Sequence, residues 1–160
     1  RYLISRRNLT VITTSLPIAS VLQRAPGVET LLLGGFVRRD SPDLVGALTD
    51  ANLENLRADI AFVGADGMDA AGNVYNASLA VARMLSKMIA AADRAFVIAD
   101  HTKLGRTALS LFGNAARWDG LITDMLASAE FLSQLNAAGV TTNVVGQSQD
   151  DPTPREAVHG

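Results

Sequence analysis

Cysteine is absent from the 160 residues. Disulfides and thiolate metal sites are therefore excluded, and the composition fits a reducing compartment. Histidine occurs only at His101 and His159, too far apart to read as a histidine metal site. No apolar run reaches the roughly 18 residues that a membrane span needs, and no secretory signal pattern is present. The sequence carries no Walker A segment and no G-x-S-x-G. "GADGMDAAG" (64–72) is not a dinucleotide fingerprint, and the spacing of a calcium-binding EF-hand loop is missing. Excess positive charge is lacking as well: the net charge is −2 and the pI about 5.6. That balance argues against nucleic-acid binding as the main property of this chain. Together these absences predict a cytoplasmic domain with no cofactor, no metal and no membrane contact. An initiator methionine is also absent. "RYLISRRN" opens in mid-pattern, with Tyr2, Leu3 and Ile4 reading as the end of an amphipathic helix closed by Arg6 and Arg7. The expectation is a fragment of a longer protein.

What is present is enough for a core. Apolar residues make up 48% and charged residues 19%, which separates the chain from disordered sequences. At this length one domain is the simplest organisation, burying roughly 70% of the unfolded surface. Short apolar runs predict strands at Leu9–Thr13, Val28–Leu33, Asp59–Gly64, Ala95–Ala99, Gly120–Thr123 and Thr142–Val145. Helical patterns fall between them at Leu16–Arg24, Leu44–Leu56, Ser78–Ala92 and Ala129–Ala138. Ser15 and Ser128 read as N-caps and Gly139 as a C′ glycine. This alternation implies an α/β, Rossmann-like fold: a mainly parallel sheet with helices on both faces. The mostly uninterrupted apolar runs suit strands covered on both sides. The domain is expected over 1–146, and the polar "QSQDDPTPREAVHG" (147–160) reads as a disordered tail.

A parallel sheet gathers ligands at the carboxyl ends of its strands, close to the point where strand order reverses. Three loops there carry unusual residues. "GGFVRRDSPDLVG" (34–46) begins with Gly34-Gly35, which permits close backbone approach, and reads equally well as a plain turn with exposed arginines. "GADGMDAAGNVYN" (64–76) contains Asp66, Gly67 and Asp69 and ends on Tyr75 and Asn76. "DHTK" (100–103) places one of only two lysines three residues beyond an aspartate. Asp100 and Lys103 could form a surface ion pair worth roughly 0–1 kcal/mol. Alternatively, Lys103 is a point charge for a phosphate, with Asp100 accepting sugar hydroxyls or positioning the lysine. The four methionines and Trp118 read as packing.

Five segments, in order across Leu9–Asp124, resemble the C-terminal sensor domain of DeoR-type bacterial transcriptional regulators. They are "VITTSLPIA" (11–19), "LLGGFVRRDSPDLVG" (32–46), "DIAFVGADGMDAAGNVYN" (59–76), "MIAAADRAFVIADHTKLGR" (88–106) and "WDGLITD" (118–124). The resemblance implies a fold similar to ribose-5-phosphate isomerase and the CoA transferases. It also implies a phosphorylated sugar or related metabolite as effector. Gly34 and Gly35 match the family's Gly-Gly loop, Asp66 and Gly67 its loop after the third strand here, and Asp100 and Lys103 its D-x-[ST]-K loop. With Tyr75 and Asn76 these residues form the candidate effector site. The family's winged helix-turn-helix, and a strand with a D-x-G-T-T-like loop, belong before the segment that opens here at Arg1. DNA would be reached only through that N-terminal domain.

Three functions compete. The first is a non-catalytic sensor whose ligand shifts an oligomer between two states. The second is a sugar-phosphate isomerase with Asp66 as base and Lys103 stabilising an enediolate. The third is a degenerate domain kept for oligomerisation, with the apolar "SLAVARMLSKMIAAA" (78–92) serving as core or interface. The sequence favours the sensor: Asp66 is followed by Gly67, where the isomerases carry a second carboxylate. No catalytic residue is expected.

Overall fold

The computed structural model describes residues 2–146. The tail expected to be disordered lies outside the described residues. Four strands make the central parallel sheet: Ala58–Gly64 (β5), Ala92–Ile98 (β8), Gly120–Asp124 (β10) and Thr141–Val145 (β11), ordered β11-β10-β8-β5. Leu9–Thr13 (β1) and Val28–Leu32 (β2) form a separate parallel pair, joined through helix α1 (Leu16–Leu22). Two small antiparallel sheets fill the loops. Phe36–Val37 (β3) pairs with Leu44–Val45 (β4), and Gly67–Met68 (β6), Val74–Asn76 (β7) and Ser110–Gly113 (β9) lie in the order β6-β7-β9.

The remaining helices are Ala47–Glu54 (α2), Leu79–Ala90 (α3) and Ala129–Ala137 (α4). Helix α3 has the strongest sequence cause. Val81, Ala82, Leu85 and Ile89 recur at helical spacing and are buried. Each large apolar side chain hidden there contributes roughly 1.5–3 kcal/mol. The Ser78 hydroxyl oxygen accepts the Val81 N–H at the helix start. Ser128 caps α4 through the Phe131 N–H, and Gly139 follows its end with φ of 88°. Ser15 precedes α1 as expected but makes no cap: its own N–H donates to Thr13 Oγ1 at 3.1 Å.

The Rossmann-like, mainly parallel α/β arrangement is the one observed, with one-sided covering. Ala61, Val63, Val97 and Leu121 lie in a single buried cluster with Val81, Leu85 and Ile89 of α3 and Leu135 of α4. The alternate side chains Ile60, Phe62 and Ile98 stand 46–54% exposed. Helices on both faces are thus not found among the described residues. The apolar runs that suggested them still alternate between core and surface, because side chains of a strand alternate faces whatever their polarity. No reversal of strand order occurs within the four-stranded sheet.

Other expectations change at element ends. Tyr2–Ser5 form a turn instead of a helix end, with the Arg6 N–H on the Leu3 carbonyl. The expected helix from Leu44 starts at Ala47, because Leu44 and Val45 pair with β3 and Gly46 takes φ of 120°. Met68 and Met84 are core residues, whereas Met125 is 65% exposed beyond β10.

Candidate functional site

Asp100 ends β8's apolar run and starts a single 3-10 turn, His101–Lys103. Its Oδ1 accepts the Thr102 N–H at 2.8 Å and also the Thr102 hydroxyl. The hydroxyl and then the N–H of Thr102 hold the Asp100 carboxyl below the usual carboxylate range, with Lys103 and His101 adding attraction. Asp100 and Lys103 form no ion pair; the carboxylate instead caps the turn that presents the lysine. Among the described residues the Lys103 ammonium donates no hydrogen bond and joins no salt bridge.

A second clasp ties this turn to β10. Asp124 Oδ2 accepts the His101 N–H at 2.8 Å, and Oδ1 lies 3.0 Å from His101 Nδ1. Asp124 Oδ1 also accepts the Leu126 N–H. These contacts, led by the His101 N–H, lower the Asp124 carboxyl to about 2. Asp100, His101 and Asp124 bring potential metal-ligating atoms within 4.8 Å of one another. His101 Nδ1 and the Asp124 oxygens are engaged with one another and with backbone N–H groups, and Asp100 Oδ1 is taken up by Thr102, so the cluster is explained as a structural clasp.

The loop after β5 meets the same turn. Leu104 bridges to Met68, and the Gly105 N–H donates to the Met68 carbonyl at 2.8 Å. Gly67 makes the approach possible. A Cβ there would lie 2.6 Å from the Arg106 carbonyl oxygen. Asp66 donates its N–H to the Tyr75 carbonyl and accepts the Ala77 N–H on Oδ2, both at 2.9 Å. Asn76 is buried, with Oδ1 accepting the Ser78 N–H just before α3. Tyr75 donates its hydroxyl to Asp69 Oδ2 at 2.9 Å, and this bond raises the phenol's pKa. Burial acts to raise the Asp69 carboxyl, but bonds from Asn73, Tyr75 and Ala71 outweigh it and hold it low.

Six of the eight predicted residues therefore share one connected assembly: Asp66, Gly67, Tyr75, Asn76, Asp100 and Lys103. Gly34 and Gly35 are engaged elsewhere, by α2. The Gly34 N–H donates to Asn52 Oδ1, and its carbonyl accepts the Thr49 hydroxyl. Gly35 has φ of 154°, and a Cβ there would come within 2.4 Å of Thr49 Oγ1. Sequence reasoning missed the clasp residue Asp124 and the anchors Thr49 and Asn52. No local motif marks them, because their partners lie 15–23 residues away. A cleft of about 340 Å³ lies beside the turn, between His101, Leu104 and Leu126 on one side and Glu130, Phe131 and Gln134 of α4 on the other. It includes none of the predicted effector residues.

Residues 1–125 match the DeoR C-terminal sensor domain. The chain belongs to this family. Its curated relatives include the HTH-type transcriptional repressor GlcR of Bacillus subtilis (strain 168), 33% identical over 88% of this chain and 54% of that protein. The HTH-type transcriptional repressor CsqR of Escherichia coli (strain K12) is 29% identical over 84% of the chain and 52% of its own length. The glycerol-3-phosphate regulon repressor of the same strain is 25% identical over 76% and 48%. This sensor-domain chain thus spans about half the length of the curated relatives it matches. Among the described residues no helix is long and apolar enough to cross a membrane.

Proposed function

We propose that this DeoR-type sensor domain binds a phosphorylated sugar or related small metabolite at the loops following β5 and β8. Binding would adjust DNA recognition by the N-terminal winged helix-turn-helix of the longer regulator. The observation that carries this reading is Lys103. Among the described residues its ammonium joins no salt bridge, while Asp100, Asp124 and the Met68–Leu104 contact fix the turn that carries it. A compact cation held on a rigid turn is suited to a phosphate. The Asp66–Gly67 loop, packed against the same turn, supplies polar groups for hydroxyls. The name of the glycerol-3-phosphate regulon repressor points to a phosphorylated three-carbon polyol for that relative, and the same chemical class fits this site.

The domain acts without catalysis in this reading. The curated relatives are regulators, and the carboxylate that an isomerase would use as base, Asp66, already accepts the Ala77 N–H. The test is a thermal-shift panel of sugar phosphates and glycerol 3-phosphate, run on the wild type and Lys103→Ala. A true effector at a hundred times its dissociation constant should stabilise by about 2.7 kcal/mol, and Lys103→Ala should abolish that gain. Stabilisation that survives the substitution would remove Lys103 from the site. Turnover of the stabilising compound would replace the sensor reading with an enzyme.

A further inference from the structure

The cleft between the lysine turn and α4 carries chemistry that the effector loops do not use. It lies between the segments that follow β8 and its parallel neighbour β10, at the end of such a sheet where ligands gather. Its volume, about 340 Å³, falls in the range of small-molecule sites, roughly 300–1,000 Å³. Asp124 gives the His101 ring a defined polarity. The carboxylate oxygens lie 3.0 and 3.1 Å from Nδ1 and can only accept, so Nδ1 carries a proton. In the imidazole form Nε2 is then an acceptor, and among the described residues it makes no hydrogen bond. On the other side of the cleft, α4 contributes the Glu130 carboxylate, an acceptor, and the Gln134 amide, which both donates and accepts. Ser128 Oγ accepts the Phe131 N–H and keeps its own O–H to donate. Leu104 and Phe131, packed against the core, and Leu126, 68% exposed, supply apolar walls.

We propose that this cleft is a second small-molecule site, for an uncharged polyhydroxy compound such as a free sugar or polyol. The lining selects that class. A hydroxyl both donates and accepts, and the cleft presents acceptors at His101 and Glu130, a donor at Ser128 and both at Gln134. Apolar walls with a few polar groups are the usual make-up of a small-ligand site, and here they suit the C–H faces of a sugar ring. A phosphate is disfavoured. Among the described residues no lysine or arginine lines the cleft, and Glu130 already answers the positive end of α4. An anion there would meet a like charge with no counter-charge. The site stands apart from Lys103 and the Asp66–Gly67 loop, so it holds or fails independently of the effector reading.

Long-range proton–nitrogen NMR of the imidazoles tests this on the whole chain, which has two histidines; His159→Gln assigns them. His101 should show a protonated Nδ1 and a bare Nε2. Glycerol, D-mannitol, D-ribose, D-glucose and D-galactose are then titrated one at a time to tens of millimolar. At least one should move the Nε2 resonance and the Gln134 side-chain amide along a saturating curve, and inorganic phosphate should move neither. Glu130→Ala and Gln134→Ala, at exposed positions, should each raise that Kd about 10-fold, the effect of a lost hydrogen bond, with unchanged far-UV circular dichroism. Lys103→Ala should leave the Kd as it was. An Nε2 signal that none of the five compounds moves would overturn the proposal. So would a shift that phosphate reproduces, one that both α4 variants leave intact, or one that disappears with Lys103→Ala.

Discussion

Asp124, the last residue of β10, holds His101 at two points: Oδ2 on its backbone N–H at 2.8 Å and Oδ1 beside its ring Nδ1 at 3.0 Å. The candidate lysine turn is thereby fastened to the neighbouring strand as well as to its own. The contact has a pH signature. A carboxyl lowered from 3.8 to about 2 binds fewer protons folded than unfolded, so its contribution is fully present above about pH 4. It is lost as pH falls from about 4 to about 2. Urea midpoints measured against pH should fall across that window in the wild type and fall less steeply in Asp124→Asn. Equal slopes would mean that the clasp does not form in solution.

Gly67 governs how closely the two halves of the site approach. With the Arg106 carbonyl oxygen 2.6 Å from any added Cβ, Gly67→Ala has to push backbone away from backbone. A loss of roughly 1–3 kcal/mol is expected from denaturant unfolding, the usual range for overpacking. Gly64→Ala is the control: nothing lies within 4 Å of its Cβ position, and a neutral or slightly stabilising result is expected.

Trp118 closes the far end of the β6–β7 hairpin. It is 5% exposed, and its Nε1–H donates to the Gly72 carbonyl at 3.2 Å. Trp118→Phe keeps most of the ring volume but leaves that carbonyl unpaired, at a cost of about 1–3 kcal/mol. As the single tryptophan, it also reports its own burial. Its emission should be blue-shifted in the folded wild type and move to the red on unfolding.

Helices α2 and α3 are pinned by two ion pairs of different depth. Arg83 meets the Asp50 carboxylate at 2.7 Å, and that carboxylate is only 10% exposed; Lys87 meets Glu54, which is 63% exposed. Arg83→Ala strands a buried acceptor and should cost about 1–3 kcal/mol. The loss from Lys87→Ala should be smaller, because Glu54 can return to water. Thermal melts of the two variants side by side would reveal the order, and a reversed order would disprove this account.

Much of the scaffold was legible in the residues. β1 was located to the residue, and four further parallel strands to within about one residue at each end. A buried strand needs a run of β-branched and apolar residues, and such runs are visible locally. β8 begins three residues earlier than its apolar run, at Ala92-Asp93-Arg94, because pairing with β5 extends it through polar positions. The short strands β3, β6, β7 and β9 were read as loops. Two to four residues carry no periodicity, and their pairing partners lie up to some 39 positions away.

The sequence by itself determined the alternation of strands and helices, the family resemblance, and the presence of Asp66, Gly67, Asp100 and Lys103 in loops at strand ends. Each of these is a property of neighbouring residues. The tertiary structure decided which loops meet. It joined the Asp66–Gly67 loop to the lysine turn through Met68, Leu104 and Arg106, and turned Asp100 from the lysine's partner into a cap. It also set Gly34 and Gly35 against α2, left one face of the parallel sheet open, and placed β9 at an edge. Those outcomes depend on contacts between segments tens of residues apart, such as the Gly105 N–H on the Met68 carbonyl at 2.8 Å, and no local pattern encodes such distances.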